Sequence, residues 1–141
     1  RMTDVKRRVL WHGTLLVLLG LATGGFVQSF VTPRLALAAH VGGIMNGTLI
    51  MAVGAAWSEL ALSPSLARGL FWSLVYSGYA NWLGLVLAAT FGTTSTTPLL
   101  GDGTPALPWQ EQVVAFCLVS GAVVTLGAVG LVLFGLRRRP R

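Results

Sequence analysis

Apolar residues gather into four stretches, Val9 to Val31, Ala36 to Leu60, Leu66 to Phe91 and Val113 to Leu136. Each is at least about as long as the 20 residues a helix needs to cross roughly 30 Å of hydrocarbon. The breaks between them are Thr32-Pro33-Arg34, Ser63-Pro64-Ser65 and the longer "GTTSTTPLLGDGTPALPWQEQ", all rich in residues that end helices and make turns. None of the four alternates polar and apolar with period two, which excludes half-buried strands. The pattern therefore predicts an all-α fold, a four-transmembrane-helix bundle of an integral membrane protein, with residues 1–141 forming a single domain. "LALAA" behind a basic start resembles a signal-peptide cleavage site, but the apolar run before it is nearer 20 residues than the 7 to 15 of a signal core. A retained span is expected instead.

Composition agrees with this reading. Hydrophobic residues make up 54% of the chain and charged residues only 10%, and the mean hydropathy is +0.74. The net charge of +6 sits mostly in the tails "RMTDVKRR" and "LRRRPR", outside any domain, so membrane topology accounts for it and nucleic acid is not an expected partner. Lys6, Arg7 and Arg8 precede the first span, Arg68 lies in the second connection and Arg137 to Arg139 follow the fourth. Both termini are expected to be cytoplasmic, in a cell (inner) membrane. The third connection carries Asp102 and no Lys or Arg, as an external loop can. Arg34 is the one basic residue that topology leaves on the external side. The single cysteine, Cys117, has no disulfide partner and reads as an inert buried thiol.

Polar residues inside hydrocarbon cost desolvation energy, so each needs a partner or a purpose. Asn46 precedes Glu59 by 13 positions and Asn81 follows Arg68 by 13. At about 1.5 Å per residue both lie some 20 Å from the same turn, hence level. They either join two helices through their amides or line a pocket. His40 lies about 9 Å nearer the external face than Asn46 and roughly 120° round the helix. It is flanked by Gly43 and Gly47, a small-residue stripe that admits another helix or something flat and bulky. His12 sits at the cytoplasmic end and is too far away to share a metal with His40. Four tryptophans, Trp11, Trp57, Trp72 and Trp109, fall near span ends as an aromatic belt. Trp82 lies mid-span in "YSGYANWLG", where a belt does not explain it. Asp4, Glu59, Asp102 and Glu111 all lie at or beyond span ends, which counts against a proton-coupled transporter.

The segments "TPRLALAAHVGGIMNG", "SGYANWLGLVLAATFG", "WQE" and "WHGTLLVLLGLATG" resemble the hydroxylaminobenzene mutase family over nearly the whole chain. The His-x5-Asn-Gly and Gly-x-Ala-Asn blocks are more distantly similar to styrene oxide isomerases, small four-helix membrane isomerases that assemble as trimers and hold a haem b through that histidine. The resemblance implies that His40 is the axial ligand of a haem iron, that Asn46 and Asn81 face the substrate, and that Gly43 and Gly47 lie against the cofactor. Arg34, near the same external end, would then pair with a haem propionate or reach lipid headgroups. Tyr79 and Trp82, with Tyr76, would wall an aromatic pocket or a subunit contact, or simply pack. One position departs: where the epoxide isomerases carry a tyrosine four residues after the helix-three asparagine, this chain has Leu85.

The activity implied is the isomerisation of a small aromatic hydroxylamine to an ortho-aminophenol, with ferric haem as Lewis acid and an apolar bundle that excludes water. A homotrimer in the lipid bilayer is the implied assembly. The alternatives are an epoxide isomerase and a non-enzymatic small membrane bundle acting as transporter or assembly subunit.

Overall fold

The computed structural model describes residues 2–101, 103 and 106–137. Among these residues every regular element is helical: α1 (Met2–Gly25), α2 (Pro33–Ala55), α3 (Pro64–Phe91) and α4 (Pro108–Arg137), with single 3-10 turns at Val27–Ser29 and Trp57–Glu59. Asp102, Arg138 and Arg139, which entered the topology argument, lie outside the described residues.

Local chemistry sets the boundaries. Pro33, Pro64 and Pro108 open α2, α3 and α4, where a missing N–H costs nothing and the fixed φ suits a helix. Ser63 caps α3, its Oγ accepting from Leu66 N, and Gly92 closes it with φ 71°. α1 begins earlier than the apolar pattern indicated and ends at Gly25 rather than Val31. Two successive glycines disfavour further helix, and the apolar residues beyond them turn away: Val27 and Phe30 pack against the cluster of Leu35, Ala36, Ala88, Ala89 and Val114.

α2, α3 and α4 are each long and apolar enough to cross a membrane. α1 is not among them, because its first third holds Asp4, Lys6, Arg7 and Arg8 and its helix stops early. The most extensive packing is of α1 on α2, then α3 on α4 and α2 on α3, while α1 also touches α3. The larger core lies toward the basic end, around Leu16, Ile50, Trp57, Leu70 and Leu74. At that end Ala61 N donates to Gly135 O of α4, so Arg8, Arg68 and Arg137 share one end of the bundle and Arg34 stands at the other. Large apolar side chains remain on the outside, among them Phe116, Val123 and Leu126 of α4.

Candidate active site

α1 and α2 approach through glycine. A Cβ on Gly43 would stand 2.8 Å from Gly20 Cα, and one on Gly47 would stand 2.6 Å from Gly13 O. Neither neighbour is a movable side-chain tip, so only glycine permits this approach. The faces of Gly43 and Gly47 are thus filled by α1, with Trp82 also against Gly43. Of the two readings of this stripe, a helix seam or a flat group against the backbone, the packing supports the helix seam.

The same seam seats His40. Its Nδ1 lies 2.8 Å from Gly20 O, and since a carbonyl can only accept, Nδ1 carries the proton. The ring rests on the bare Cα of Gly24, where an added Cβ would stand 2.5 Å from Nδ1 and 2.7 Å from Cε1. In the neutral ring this leaves the lone pair on Nε2, the arrangement by which a backbone carbonyl orients a metal-ligating histidine. That donor chemistry fits a histidine that would hold a haem iron. Arg34, at the start of α2, is exposed and is free to meet an anionic group.

Asn46 and Asn81 are brought together across α2 and α3. Asn46 Nδ2 donates to Asn81 Oδ1 at 3.0 Å and to Gly42 O at 2.8 Å. Both N–H bonds of Asn46 are therefore used, and among the described residues its Oδ1 accepts no hydrogen bond and Asn81 Nδ2 donates none. The pair presents one unused acceptor beside one unused donor, and both residues are half-buried. Leu85 closes the adjacent turn: a Cβ on Gly42 would lie 3.2 Å from both Asn81 Oδ1 and Leu85 Cδ1. An apolar group thus stands beside the amide where the epoxide-isomerase pattern has a hydroxyl.

The aromatic residues divide. Trp82 Nε1 donates to Thr23 Oγ1 at 3.1 Å, tying α3 to α1 beside the Gly20–Gly43 crossing. Tyr79 turns toward the basic end, where its hydroxyl meets His12 Nδ1 at 3.3 Å and His12 O at 3.4 Å. Tyr76 bonds Ser120 Oγ of α4 at 2.7 Å. The structure thus keeps Trp82 at the level of the seam, near Gly43, and directs Tyr79 to a separate histidine. Gly20, Gly24, Gly42 and Thr23 support these groups and were not singled out by the sequence pattern. The four-residue spacing of Gly20 and Gly24, matching Gly43 and Gly47, was the available signal.

An imidazole with a fixed tautomer and an amide pair with a spare donor and acceptor, set among apolar helices, suit an isomerase that moves atoms within one small molecule. The chain belongs to the styrene oxide isomerase family, whose model matches residues 5–137. It is an isomerase: it is 36% identical to hydroxylaminobenzene mutase HabB of Ectopseudomonas oleovorans over 137 residues, 96% of this chain and 84% of that protein. It is also 37% identical to hydroxylaminobenzene mutase HabA of the same organism over 127 residues, 89% of this chain and 94% of that protein. Both resemblances drawn from the motifs are borne out, and a non-enzymatic bundle is set aside.

Proposed function

We propose that this isomerase is a membrane-embedded mutase that converts an aryl hydroxylamine such as hydroxylaminobenzene to a 2-aminophenol. All four helices cross the bilayer, α1 with its charged start in the headgroup layer and both termini on the cytoplasmic side. The shared position of Arg8, Arg68 and Arg137 at one end and the apolar exterior of α4 support that placement. In the N–O to ring transfer, the N–O bond breaks, a C–O bond forms at the ortho carbon, and the ring proton at that carbon returns to nitrogen, so no electrons are consumed.

His40 Nε2 would hold a ferric haem b, and Arg34 would take one of its propionates. Lewis acidity toward the hydroxylamine oxygen is what that group supplies when bound. The chain's own residues do the rest. Asn81 Nδ2–H donates to the oxygen as charge develops there, while Asn46 Oδ1 accepts from the substrate N–H and fixes the ring relative to the departing oxygen. Asn46 also orients Asn81 by donating to its Oδ1. Trp82 walls the aromatic substrate, and the apolar helices keep out the water that would otherwise add to the ring. A homotrimer would cover the half-buried His40 and Asn81.

The observation that carries this reading is the Asn46–Asn81 pair, with its unbonded acceptor and donor side by side. The second reading, epoxide isomerisation, follows from the family model, but Leu85 beside Asn81 disfavours it. The test is the absorption spectrum and hydroxylaminobenzene conversion of the detergent-purified chain, wild type beside His40→Ala. A Soret band and 2-aminophenol in the wild type, both lost in the variant, are expected. A full haem complement in His40→Ala overturns the ligand assignment. Conversion of styrene oxide without conversion of hydroxylaminobenzene overturns the substrate assignment.

A further inference from the structure

At the basic end, remote from His40, Val5 and Arg8 of α1, Trp57 and Leu60 after α2, and Arg68 and Trp72 of α3 line a cavity of about 540 Å³. The Arg8 guanidinium lies over the Phe71 ring, 4.9 Å from its centroid, which holds the charge at the cavity edge. Arg68 sits in the second turn of α3, close to the positive end of that helix's dipole, and no acid occupies the first turn. Among the described residues neither guanidinium is paired with a carboxylate; Glu59, the acid of this turn, accepts only from Ser58 Oγ. Two guanidiniums and a helix N-terminus therefore face one opening without a counter-charge, above walls of Trp, Phe, Leu and Ala.

A neutral aryl hydroxylamine makes no use of two cations, whereas an anionic amphiphile uses both halves of the cavity. We propose that this cavity binds an anionic phospholipid, its phosphate between Arg8 and Arg68 and its glycerol and upper acyl segments along Trp57, Leu62 and Trp72. Arginine suits the task because its planar fork meets two phosphate oxygens at once. The aromatic residues place the opening at the depth where headgroup meets hydrocarbon. The site ties the start of α1 to the α2–α3 turn through the lipid, and it rests on the membrane reading given above.

The test is native mass spectrometry of the full chain in detergent, titrated with phosphatidylglycerol or phosphatidylcholine of the same acyl chains. Phosphatidylglycerol is expected to bind preferentially, and Arg8→Gln/Arg68→Gln to weaken that binding by about 30-fold, the loss of two charge contacts at a membrane surface. Arg7→Gln, on an exposed residue that does not line the cavity, should change it far less. The single variants, each expected to lose about fivefold, carry the test where the double variant does not fold. Equal binding of the two lipids, or phosphatidylglycerol preference unchanged in the Arg8 and Arg68 variants, overturns the site. Competition by sodium glycerol phosphate alone, or by hydroxylaminobenzene, at matching concentration also overturns it, in favour of a soluble anion or a substrate pocket. A chain recovered from cells without detergent refutes the membrane reading before any lipid is added; a detergent-dependent chain with no lipid preference refutes only this site.

Discussion

Gly24→Ala tests the seat of His40 directly. The new methyl would stand 2.5 Å from Nδ1 and 2.7 Å from Cε1 of a ring already bonded to Gly20 O. The ring must leave, because α1 and α2 are locked by the adjoining glycine crossings Gly20–Gly43 and Gly13–Gly47. Overpacking costs about 1–3 kcal/mol and the lost hydrogen bond about 1 kcal/mol, offset by up to about 1 kcal/mol from replacing a helical glycine. The net loss should be about 1–3 kcal/mol. Gly25→Ala is the control, since an added Cβ there meets nothing within 4 Å. The assay is unfolding of the purified protein by sodium dodecyl sulfate, together with the Soret absorbance of the folded fraction. Gly24→Ala should unfold earlier and lose absorbance, while Gly25→Ala stays at or above the wild type. In a His40→Ala background the added methyl has no ring to displace, so Gly24→Ala should cost little. Equal midpoints for the two alanine variants, or the full cost persisting without His40, would refute the seating argument.

Replacing Asn46 and Asn81 by Ala, singly and together, should lower turnover by about 100-fold for the donor Asn81, with haem retained. The stability cycle should show a coupling of about 0.6–1.7 kcal/mol; full turnover in both variants would reduce the pair to a helix tie. Trp82→Phe removes the 3.1 Å bond to Thr23 and should cost about 1 kcal/mol in the same unfolding assay, and an unchanged midpoint would contradict it. Glu111 accepts from Thr94 N and from the backbone and hydroxyl of Ser95. Glu111→Gln should release that loop, read as faster proteolysis near residues 94–97, with hydroxylaminobenzene turnover preserved.

Much of the arrangement was legible because depth in a membrane is a one-dimensional coordinate. Counting from a shared turn placed Asn46 opposite Asn81, and the structure joins them at 3.0 Å. The same count cannot say which amide hydrogen is used, and that decides which residue keeps a free donor. The end of α1 is hidden from the pattern because Val27, Phe30 and Val31 are as apolar as a span, although Val27 and Phe30 serve the fold as a cap on the Leu35 and Ala88 cluster. Gly43 and Gly47 announced a close approach without naming the visitor. Only the matching glycines of α1 identify it, because a small-residue stripe specifies proximity and is silent on what comes near. Tyr79 and Trp82 sit three residues apart yet bond to His12 and Thr23, partners eleven positions apart on α1, a divergence that no local spacing reveals.

The glycine crossings of α1 and α2 also constrain how the chain can diverge. Gly13 meets Gly47 and Gly20 meets Gly43 backbone to backbone, so enlarging either member of a pair forces the two helices apart at that crossing. A descendant lineage cannot drift through such positions one residue at a time; it must keep each pair or abandon the crossing altogether. The outward face of α4, where Phe116, Val119, Val123 and Leu126 stand clear of the other helices, carries no such obligation and is free to exchange one hydrocarbon shape for another. Divergence within the family should therefore accumulate on α4 and spare the seam.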